Sequence, residues 1–160
     1  MAAAGVRPGE LVVDIGAGRG ALTTPLLDAG ARVIAVEAHP GRAGYLRERF
    51  AGRDVVVVAA DALSVRLPRR PFRVVASPPY GITAPLLRVL LARGSSLTAA
   101  DLVLQRAVVR RQSDGHNRAT ERIGRDWVIA MGISLPRRAF APPPRVDSAV
   151  LVARRRRGRR

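Results

Sequence analysis

The sequence predicts an α/β fold in which seven strands form one mostly parallel sheet with helices on both of its faces. Short apolar segments alternate with segments of helical period along the chain, an order typical of strands joined by right-handed helical crossovers. The first strand runs into a glycine-rich turn that precedes a helix. Four consecutive valines at 55–58 indicate a further strand, buried on both faces of the sheet.

The predicted elements can be placed in chain order. The strands are Glu10–Ile15, Arg32–Glu37, Asp54–Ala59, Arg73–Ala76, Asp101–Leu104, Asp126–Leu135 and Ser148–Ala153. The helices are Ala21–Ala29, Gly41–Phe50, Thr83–Ala92 and Val108–Arg125, the last with an irregular middle. Two prolines after the fourth strand cannot continue a central strand, so the chain must leave the sheet at Ser77-Pro78-Pro79-Tyr80.

The composition excludes several classes of protein. The chain has 160 residues, enough for one domain with a hydrophobic core, and its 48% hydrophobic and 25% charged content is ordinary for a globular protein. It has no cysteine, which excludes disulfides and thiolate chemistry, and its two histidines are too few for a histidine-based metal cage. No apolar run reaches the roughly 18 residues that span a bilayer, and the N-terminus has no signal-peptide pattern. We therefore expect a cytoplasmic monomer that binds neither metal nor membrane.

The charge predicts the kind of partner. The formal net charge is +16, and all 28 basic residues are arginine. Six of the last seven residues are arginine, which predicts one domain at 1–153 followed by an arginine-rich tail at 154–160. A field this positive favours a polyanionic partner, because each neutralised phosphate releases counterions. Nucleic acid, with RNA favoured, is the predicted partner.

A glycine-rich loop, Asp14-Ile15-Gly16-Ala17-Gly18-Arg19-Gly20, lies between the first predicted strand and the first helix. Glycines are needed where the backbone turns sharply and lies against a ligand. With Ala21 in last place the loop also satisfies the dinucleotide-binding pattern, so it indicates a nucleoside cofactor without identifying which one. The alternative is a tight turn with only a structural role.

Two acidic residues follow the next two strands. Glu37 ends the second strand, where a carboxylate can accept hydrogen bonds from both ribose hydroxyls; an acid that is merely solvated is the alternative. Asp61 follows the third strand, where it can accept from an adenine amino group while the backbone N–H of Ala62 donates to the ring. Because the carboxyl ends of parallel strands share one edge of the sheet, the sequence predicts a nucleoside site there.

The tetrapeptide Ser77-Pro78-Pro79-Tyr80 indicates the chemistry. The two prolines fix the backbone so that a carbonyl and the Ser77 side chain face one point beyond the sheet edge. Two acceptors suit an exocyclic amine, and orienting both of its hydrogens directs the nitrogen lone pair towards an electrophilic methyl group. Tyr80 can stack on a planar base. The alternative is a proline-rich loop without a chemical role.

These motifs carry a resemblance to a known family. The chain resembles the S-adenosylmethionine-dependent rRNA adenine-N6 methyltransferases, specifically the 23S rRNA enzymes of macrolide–lincosamide–streptogramin resistance and, more distantly, the 16S rRNA dimethyladenosine transferases. The resemblance runs from about Pro8 to Arg156, and the proline-flanked segment Phe140–Val150 is its most family-specific part. The other segments that carry it are Asp14–Thr23, Val33–Glu37, Asp61–Leu63, Ser77–Tyr80 and Leu102–Arg106.

The resemblance implies a Rossmann-like class I methyltransferase fold and a role for each site residue. The residues expected to hold S-adenosylmethionine are Asp14, Gly16, Gly18, Gly20, Glu37, Asp61, Ala62 and Ser77. An adenine of 23S rRNA would flip out of the RNA, and its amine would meet Ser77 and the Pro78 carbonyl while Tyr80 and Phe140 stack on the ring. Transfer would be a direct displacement without metal. The residues expected to contact RNA are Arg106, Arg110, Arg111, Arg154, Arg155, Arg156 and Arg157.

Three features depart from the family pattern. Ser77 stands where the family usually has asparagine, and serine there is typical of enzymes that methylate cytosine N4 in DNA. The N-terminal Gln-Asn-Phe-Leu-like segment that closes over the donor is expected to be missing, as is the C-terminal helical RNA-binding domain. Two alternatives therefore stay open: a truncated or inactive relative that binds RNA, and a DNA amino-methyltransferase acting on cytosine N4 or adenine N6.

Overall fold

A computed structural model of the protein describes residues 5–114 and 126–156. In this part of the chain seven strands form one sheet: β1 (Leu11–Ile15), β2 (Arg32–Val36), β3 (Val55–Val58), β4 (Phe72–Ala76), β5 (Leu97–Gln105), β6 (Trp127–Leu135) and β7 (Ser148–Arg155). The helices are α1 (Thr23–Asp28), α2 (Pro40–Arg49), α3 (Thr83–Leu90) and α4 (Arg106–Ser113), with 3₁₀ turns at Tyr80–Ile82 and Arg137–Ala139.

The order of the strands in the sheet is β3-β2-β1-β4-β5-β7-β6. The first five strands run parallel, and β7 is antiparallel to both of its neighbours, β5 and β6. The predicted mostly parallel sheet is therefore confirmed. Because β1 is followed by β2 on one side and flanked by β4 on the other, the strand order reverses there, and open α/β sheets bind ligands at the carboxyl ends of the strands at such a point.

Two apolar clusters cover the two faces of the sheet. On one face, Leu26 of α1 and Leu46 of α2 pack with Phe50 against the first strands. On the other face, α3 and α4 pack against the central strands, and the buried side chains there include Leu86 and Trp127. The prediction of helices on both faces is confirmed.

The valine-rich third strand differs from its prediction. A strand buried on both faces was expected, but β3 is the edge strand of the sheet, and the Val56 side chain is 62% exposed. The prediction was wrong because a run of valines reports strand propensity, whereas burial depends on which strands flank it. The edge position of β3 leaves one of its sides without a partner strand.

The last strand continues beyond its predicted end at Ala153. Arg154 Nη2 lies 2.7 Å from Asp101 Oδ1, and Arg73 Nη2 lies 2.6 Å from Asp101 Oδ2. Arg155 donates to the carbonyl of Leu97, and its guanidinium lies 4.8 Å from the centroid of the Trp127 ring. Arg154 and Arg155, the first two residues of the predicted arginine-rich tail, therefore belong to β7, and the side chain of each is bonded to other residues of the protein.

Two further expectations can be placed on the structure. The helix predicted at Val108–Arg125 is observed as α4, which ends at Ser113, and residues 115–125 lie outside the described part of the chain. Within the described residues, no helix is long and apolar enough to cross a membrane.

Gly20 provides a test of how the first loop packs. Its φ is +86°, and a Cβ built on it would lie 2.6 Å from Cε2 of Phe50, whose ring is buried. We expect Gly20→Ala to lower the free energy of unfolding by about 2–4 kcal/mol, because backbone strain and overpacking act together. Urea denaturation measures the loss.

Gly52 offers a matched control for this substitution. Its φ is +77°, and nothing lies within 4 Å of a Cβ built on it, so Gly52→Ala introduces the strain without the clash. We expect it to cost about 1–2 kcal/mol. Equal losses in the two variants would contradict a packing role for Gly20.

Candidate active site

A cavity of about 440 Å³ lies at the carboxyl edge of the sheet, within the usual size range of small-molecule sites. Residues that follow the first four strands form most of its wall, and the proline-flanked segment before β7 completes it. The lining residues are Gly16, Gly18, Val36, Glu37, Ala38, Arg42, Ala60, Asp61, Ala62, Ser77, Pro78, Pro79, Tyr80, Ile82, Phe140, Pro142 and Pro144. The predicted meeting of strand ends at one site is therefore observed.

Three hydrogen bonds connect the glycine-rich loop after β1 to the end of β2. The backbone N–H groups of Gly16 and Ala17 donate to the Val36 carbonyl at 2.8 and 3.0 Å. The N–H of Gly18 donates to Glu37 Oε2 at 2.9 Å. These bonds hold Gly16 and Gly18 on the cavity wall.

The Glu37 carboxylate is largely enclosed by protein. It is 5% exposed, its Oε1 accepts from the backbone N–H of His39 at 2.9 Å, and its Oε2 accepts from Gly18. His39 in turn accepts at Nδ1 from the N–H of Gly41, capping α2. Since a carboxylate offers about four lone-pair sites, two remain for a ligand's hydroxyl groups.

Arg42 is a site residue that the sequence analysis missed. It lies in the first turn of α2, lines the cavity, and places Nη1 3.7 Å from Glu37 Oε1. An arginine in an arginine-rich chain carries no distinguishing signal, and only its spacing of five residues after Glu37, across a helix start, could have indicated it.

Asp14 is placed beneath the loop rather than in the cavity wall. It is 1% exposed, and its Oδ2 accepts from Thr23 Oγ1 at 2.7 Å. Burial raises the pKa of Asp14 from its ordinary value of 3.8 to about 7, and the nearby Glu37 carboxylate acts in the same direction, while the hydrogen bonds from Thr23 oppose the shift. Asp14 is not among the residues that line the cavity, and its bond to Thr23 joins the end of β1 to α1; direct contact with the cofactor stays a prediction.

Gly20 also differs from its expected place. It lies against Phe50 and Leu46. Among the described residues that line the cavity, Gly20 does not appear. The glycine pattern alone could not separate it from Gly16 and Gly18, because all three positions require positive φ. Its structural role is the contact of the loop with α2.

Asp61 and Ala62 line the part of the cavity that lies beyond β3. Asp61 Oδ1 accepts from the backbone N–H of Leu63 at 2.8 Å, which turns the chain at this strand end. The carboxylate has a second oxygen, which can accept from a ligand amine. Both residues stand where the sequence placed them.

The tetrapeptide after β4 lines the same cavity as Glu37. Pro78 is buried, whereas Ser77 is exposed, and a Cβ built on Gly16 would lie 3.6 Å from both Pro78 Cα and Pro79 Cδ. A side chain at Gly16 would therefore be in ordinary van der Waals contact with the tetrapeptide, and it is the φ of +75° that favours glycine at this position. Tyr80 lines the cavity, and its hydroxyl lies 2.6 Å from Ser148 Oγ.

Phe140 lies on the same wall and is partly buried, with Pro142 and Pro144 beside it. The residues expected to stack on a base, Tyr80 and Phe140, are thus brought to one cavity from segments 60 residues apart in the chain. The family resemblance implies that this proline-flanked segment closes the sheet beside the target-base pocket, and Pro142 and Pro144 do line the cavity.

The arginines expected to contact RNA fall into two groups. Arg106, Arg110 and Arg111 are exposed on α4, whose first residue donates its N–H to the carbonyl of Asp147. Arg154 and Arg155 have partners within the protein, as described above, and their contact with RNA stays a prediction. Arg156 is exposed, and Arg157 lies outside the described residues.

Across residues 5–114 and 126–156, no group of three or more His, Cys, Asp or Glu side chains could hold a metal ion.

The sheet order and the cavity at its carboxyl edge define a Rossmann-like methyltransferase fold. The chain belongs to the ribosomal RNA adenine dimethylase family, whose profile matches residues 1–159.

Comparisons with individual proteins support the same family assignment. Ribosomal RNA small subunit methyltransferase A of Thermosynechococcus vestitus is 37% identical over 167 residues, which covers 96% of this chain and 62% of the relative. An rRNA adenine N-6-methyltransferase of Streptomyces fradiae is 35% identical over 157 residues, covering 93% of this chain and 48% of the relative. The crystal structure of 23S rRNA methyltransferase ErmE has a TM-score of 0.88 and 34% identity, covering 96% of this chain and 64% of that one. The chain thus spans about half to two thirds of the length of these proteins.

The raised pKa of Asp14 predicts a pH dependence of stability. Between its unfolded pKa of 3.8 and its folded pKa of about 7, the folded state binds the proton more tightly than the unfolded state. Stability contributed by the protonated carboxyl is therefore fully present below pH 4 and declines as pH rises to 7, by roughly 1 kcal/mol or more for each pH unit.

Asp14→Asn isolates this contribution, because an asparagine keeps the acceptor for Thr23 but does not titrate in this range. We expect the stability of the native chain, relative to Asp14→Asn, to decline from pH 4 to pH 7 in urea denaturation. A difference that stays constant with pH would contradict the assignment.

Proposed function

We propose that the chain is an S-adenosylmethionine-dependent rRNA adenine-N6 methyltransferase, with 23S rRNA as its substrate. The observation that carries the proposal is the cavity that Gly16, Gly18 and Glu37 line together with Ser77, Pro78 and Tyr80. Nucleoside-binding groups thereby adjoin a wall suited to an exocyclic amine. The proposal draws further support from the rRNA methyltransferases that this chain resembles.

The residues present fit the methyl donor. Glu37 retains two lone-pair sites for ribose hydroxyls after accepting its two backbone bonds, and its low exposure makes such bonds strong. Asp61 and Ala62 would hold the donor adenine, and Gly16 and Gly18 admit the donor close to the backbone. S-adenosylmethionine supplies an electrophilic methyl group when bound. Arg42, whose Nη1 lies 3.7 Å from Glu37 Oε1, adds a positive charge beside that carboxylate.

The second wall orients the target amine. The Ser77 hydroxyl and the Pro78 carbonyl would each accept one N–H of the amine, which leaves the nitrogen lone pair aimed across the cavity. Tyr80 and Phe140 would hold the base ring by stacking. Catalysis by this chain is then positioning of the amine and exclusion of water, an effect that can account for a large part of the barrier.

The substrate RNA would approach α4. Its exposed arginines, Arg106, Arg110 and Arg111, lie on the element whose start is bonded to Asp147, next to the residue that contacts Tyr80. Phosphate contacts from this helix would bring a looped RNA to the Tyr80 side of the cavity, and binding would weaken steeply with salt.

Transfer of tritiated methyl groups from S-adenosylmethionine to 23S and 16S rRNA, followed by nucleoside analysis, tests the proposal. We expect N6-methylated adenosine on 23S rRNA. Methylcytosine formed on DNA would instead indicate a DNA amino-methyltransferase. Donor binding without any methylated product would indicate a relative that binds RNA without catalysis.

Glu37→Gln tests the donor site. The substitution leaves one oxygen in place of two, so either a loop bond or a ribose bond is lost, and we expect donor affinity to fall by about 1–3 kcal/mol. Isothermal titration calorimetry measures the dissociation constant. Glu48→Gln, the same change at an exposed position of α2, is the matched control and should leave it unaltered. An unchanged constant in Glu37→Gln would show that the donor does not bind there.

Ser77 and Tyr80 test the target side. We expect Ser77→Ala to lower the methylation rate, because one acceptor for the amine is lost, and Ser77→Asn to keep or raise it. Tyr80→Ala should have the larger effect, since stacking on a base is worth roughly 1–3 kcal/mol. Donor affinity should stay constant in Tyr80→Ala; because Ser77 is also among the residues expected to hold the donor, the rates of the two Ser77 variants are compared at saturating donor. A Tyr80→Ala enzyme with the native rate would contradict the stacking role.

A further inference from the structure

The start of β7 is bonded to three segments around the target side of the cavity. Ser148 Oγ lies 2.6 Å from the Tyr80 hydroxyl, and Asp147 Oδ1 accepts from the N–H of Arg137 at 3.2 Å. The carbonyl of Asp147 accepts from the N–H of Arg106 at 3.0 Å. Two adjacent residues therefore link the tetrapeptide, the turn before Phe140 and the start of α4.

We propose that Asp147 and Ser148 are positioning residues, which set the orientations of Tyr80 and Phe140 on either side of the target base. The inference rests on the proposed function, because it concerns the same cavity. It adds two residues that do not line the cavity but act through those that do.

Ser148 lies in a more rigid part of the structure than Tyr80, the residue to which it is hydrogen-bonded. It is 0% exposed, and its backbone is in register with Gln105 of β5 on one side and with Leu135 of β6 on the other. Tyr80, in contrast, begins a short 3₁₀ turn between the exposed residues Pro79 and Gly81. The bond therefore transmits the rigidity of the sheet to the tyrosine ring.

Asp147 acts in the same way on Phe140. The N–H that it binds belongs to Arg137, the first residue of the 3₁₀ turn, and the carbonyl of that residue accepts from the N–H of Phe140 at 3.2 Å. The Arg137 guanidinium also donates to the carbonyl of Arg145, which ties the same turn to the segment before β7. A shift at Asp147 would thus move the backbone that carries the Phe140 ring.

A double-mutant cycle on Tyr80→Phe and Ser148→Ala separates positioning from stability. Each single change leaves a hydroxyl without its partner, whereas the double change removes both, so the double variant should regain thermal stability relative to Ser148→Ala. We expect the single-turnover rate on 23S rRNA, at saturating donor, to fall about five- to tenfold in each single variant and in the double variant alike. A double variant whose rate returns to the native value together with its stability would overturn the proposal.

The two tyrosines of the chain, Tyr45 and Tyr80, allow a readout that does not depend on activity. In protein labelled with ¹³C in the tyrosine rings, Ser148→Ala should shift the resonances of Tyr80 and leave those of Tyr45 in place. Tyr45→Phe, which removes a hydroxyl from an exposed tyrosine outside the cavity wall, is the matched control for rate. Unshifted Tyr80 resonances in Ser148→Ala would overturn the proposal.

Asp147 is tested by rescue. Asp147→Ala removes the acceptor for Arg137 and should lower the rate about fivefold with donor affinity unchanged, whereas Asp147→Asn keeps an acceptor oxygen and should recover most of the loss. Equal rates in these two variants would contradict the part assigned to Asp147. If the native chain binds the donor but methylates no RNA, the proposed function fails, and the positioning of Tyr80 by Ser148 is then decided by the tyrosine resonances alone.

Discussion

The site depends on the hydrogen bonds that the Glu37 carboxylate accepts. Its two oxygens accept backbone N–H groups from opposite directions, Gly18 in the loop after β1 and His39 at the start of α2. One side chain thereby joins two strand ends at the point where the strand order of the sheet reverses. Glu37 also lines the cavity and has lone pairs beyond those two bonds, so the group that shapes the loop can also bind a ribose.

The opposite wall is stabilised from the other half of the sheet. Pro78 and Pro79 lie close to Gly16, and Tyr80 is bonded to Ser148 at the start of β7. The antiparallel strand at the end of the chain thus contributes to a site that the parallel strands begin. This connection explains why a segment so distant in sequence carries the most family-specific motif.

The sequence predicted the strand alternation, the glycine turn and the strand-end acids correctly because each depends on local patterns. It was wrong about β3, since four valines do not reveal whether a neighbouring strand covers them, and about the end of β7, since the partners of Arg154 and Arg155 come from β5 and from the loop before it. Asp14 and Gly20 were predicted from the glycine motif and are not among the residues that line the cavity, because a motif does not show which way each position of the loop faces. Arg42 and Ser148 were not recognised, as both act through contacts that form only in the folded chain.

Above all, we propose that the cavity lined by Glu37 and by Ser77-Pro78-Pro79-Tyr80 binds the methyl donor. A crystal structure of the chain with S-adenosylhomocysteine, the demethylated product of that donor, tests it most directly. We expect the ribose hydroxyls to be hydrogen-bonded to the Glu37 carboxylate, the adenine to lie beside Asp61 and Ala62, and the sulfur to face Ser77-Pro78-Pro79-Tyr80. Electron density for the ligand at any other place on the chain, with this cavity vacant, would contradict it.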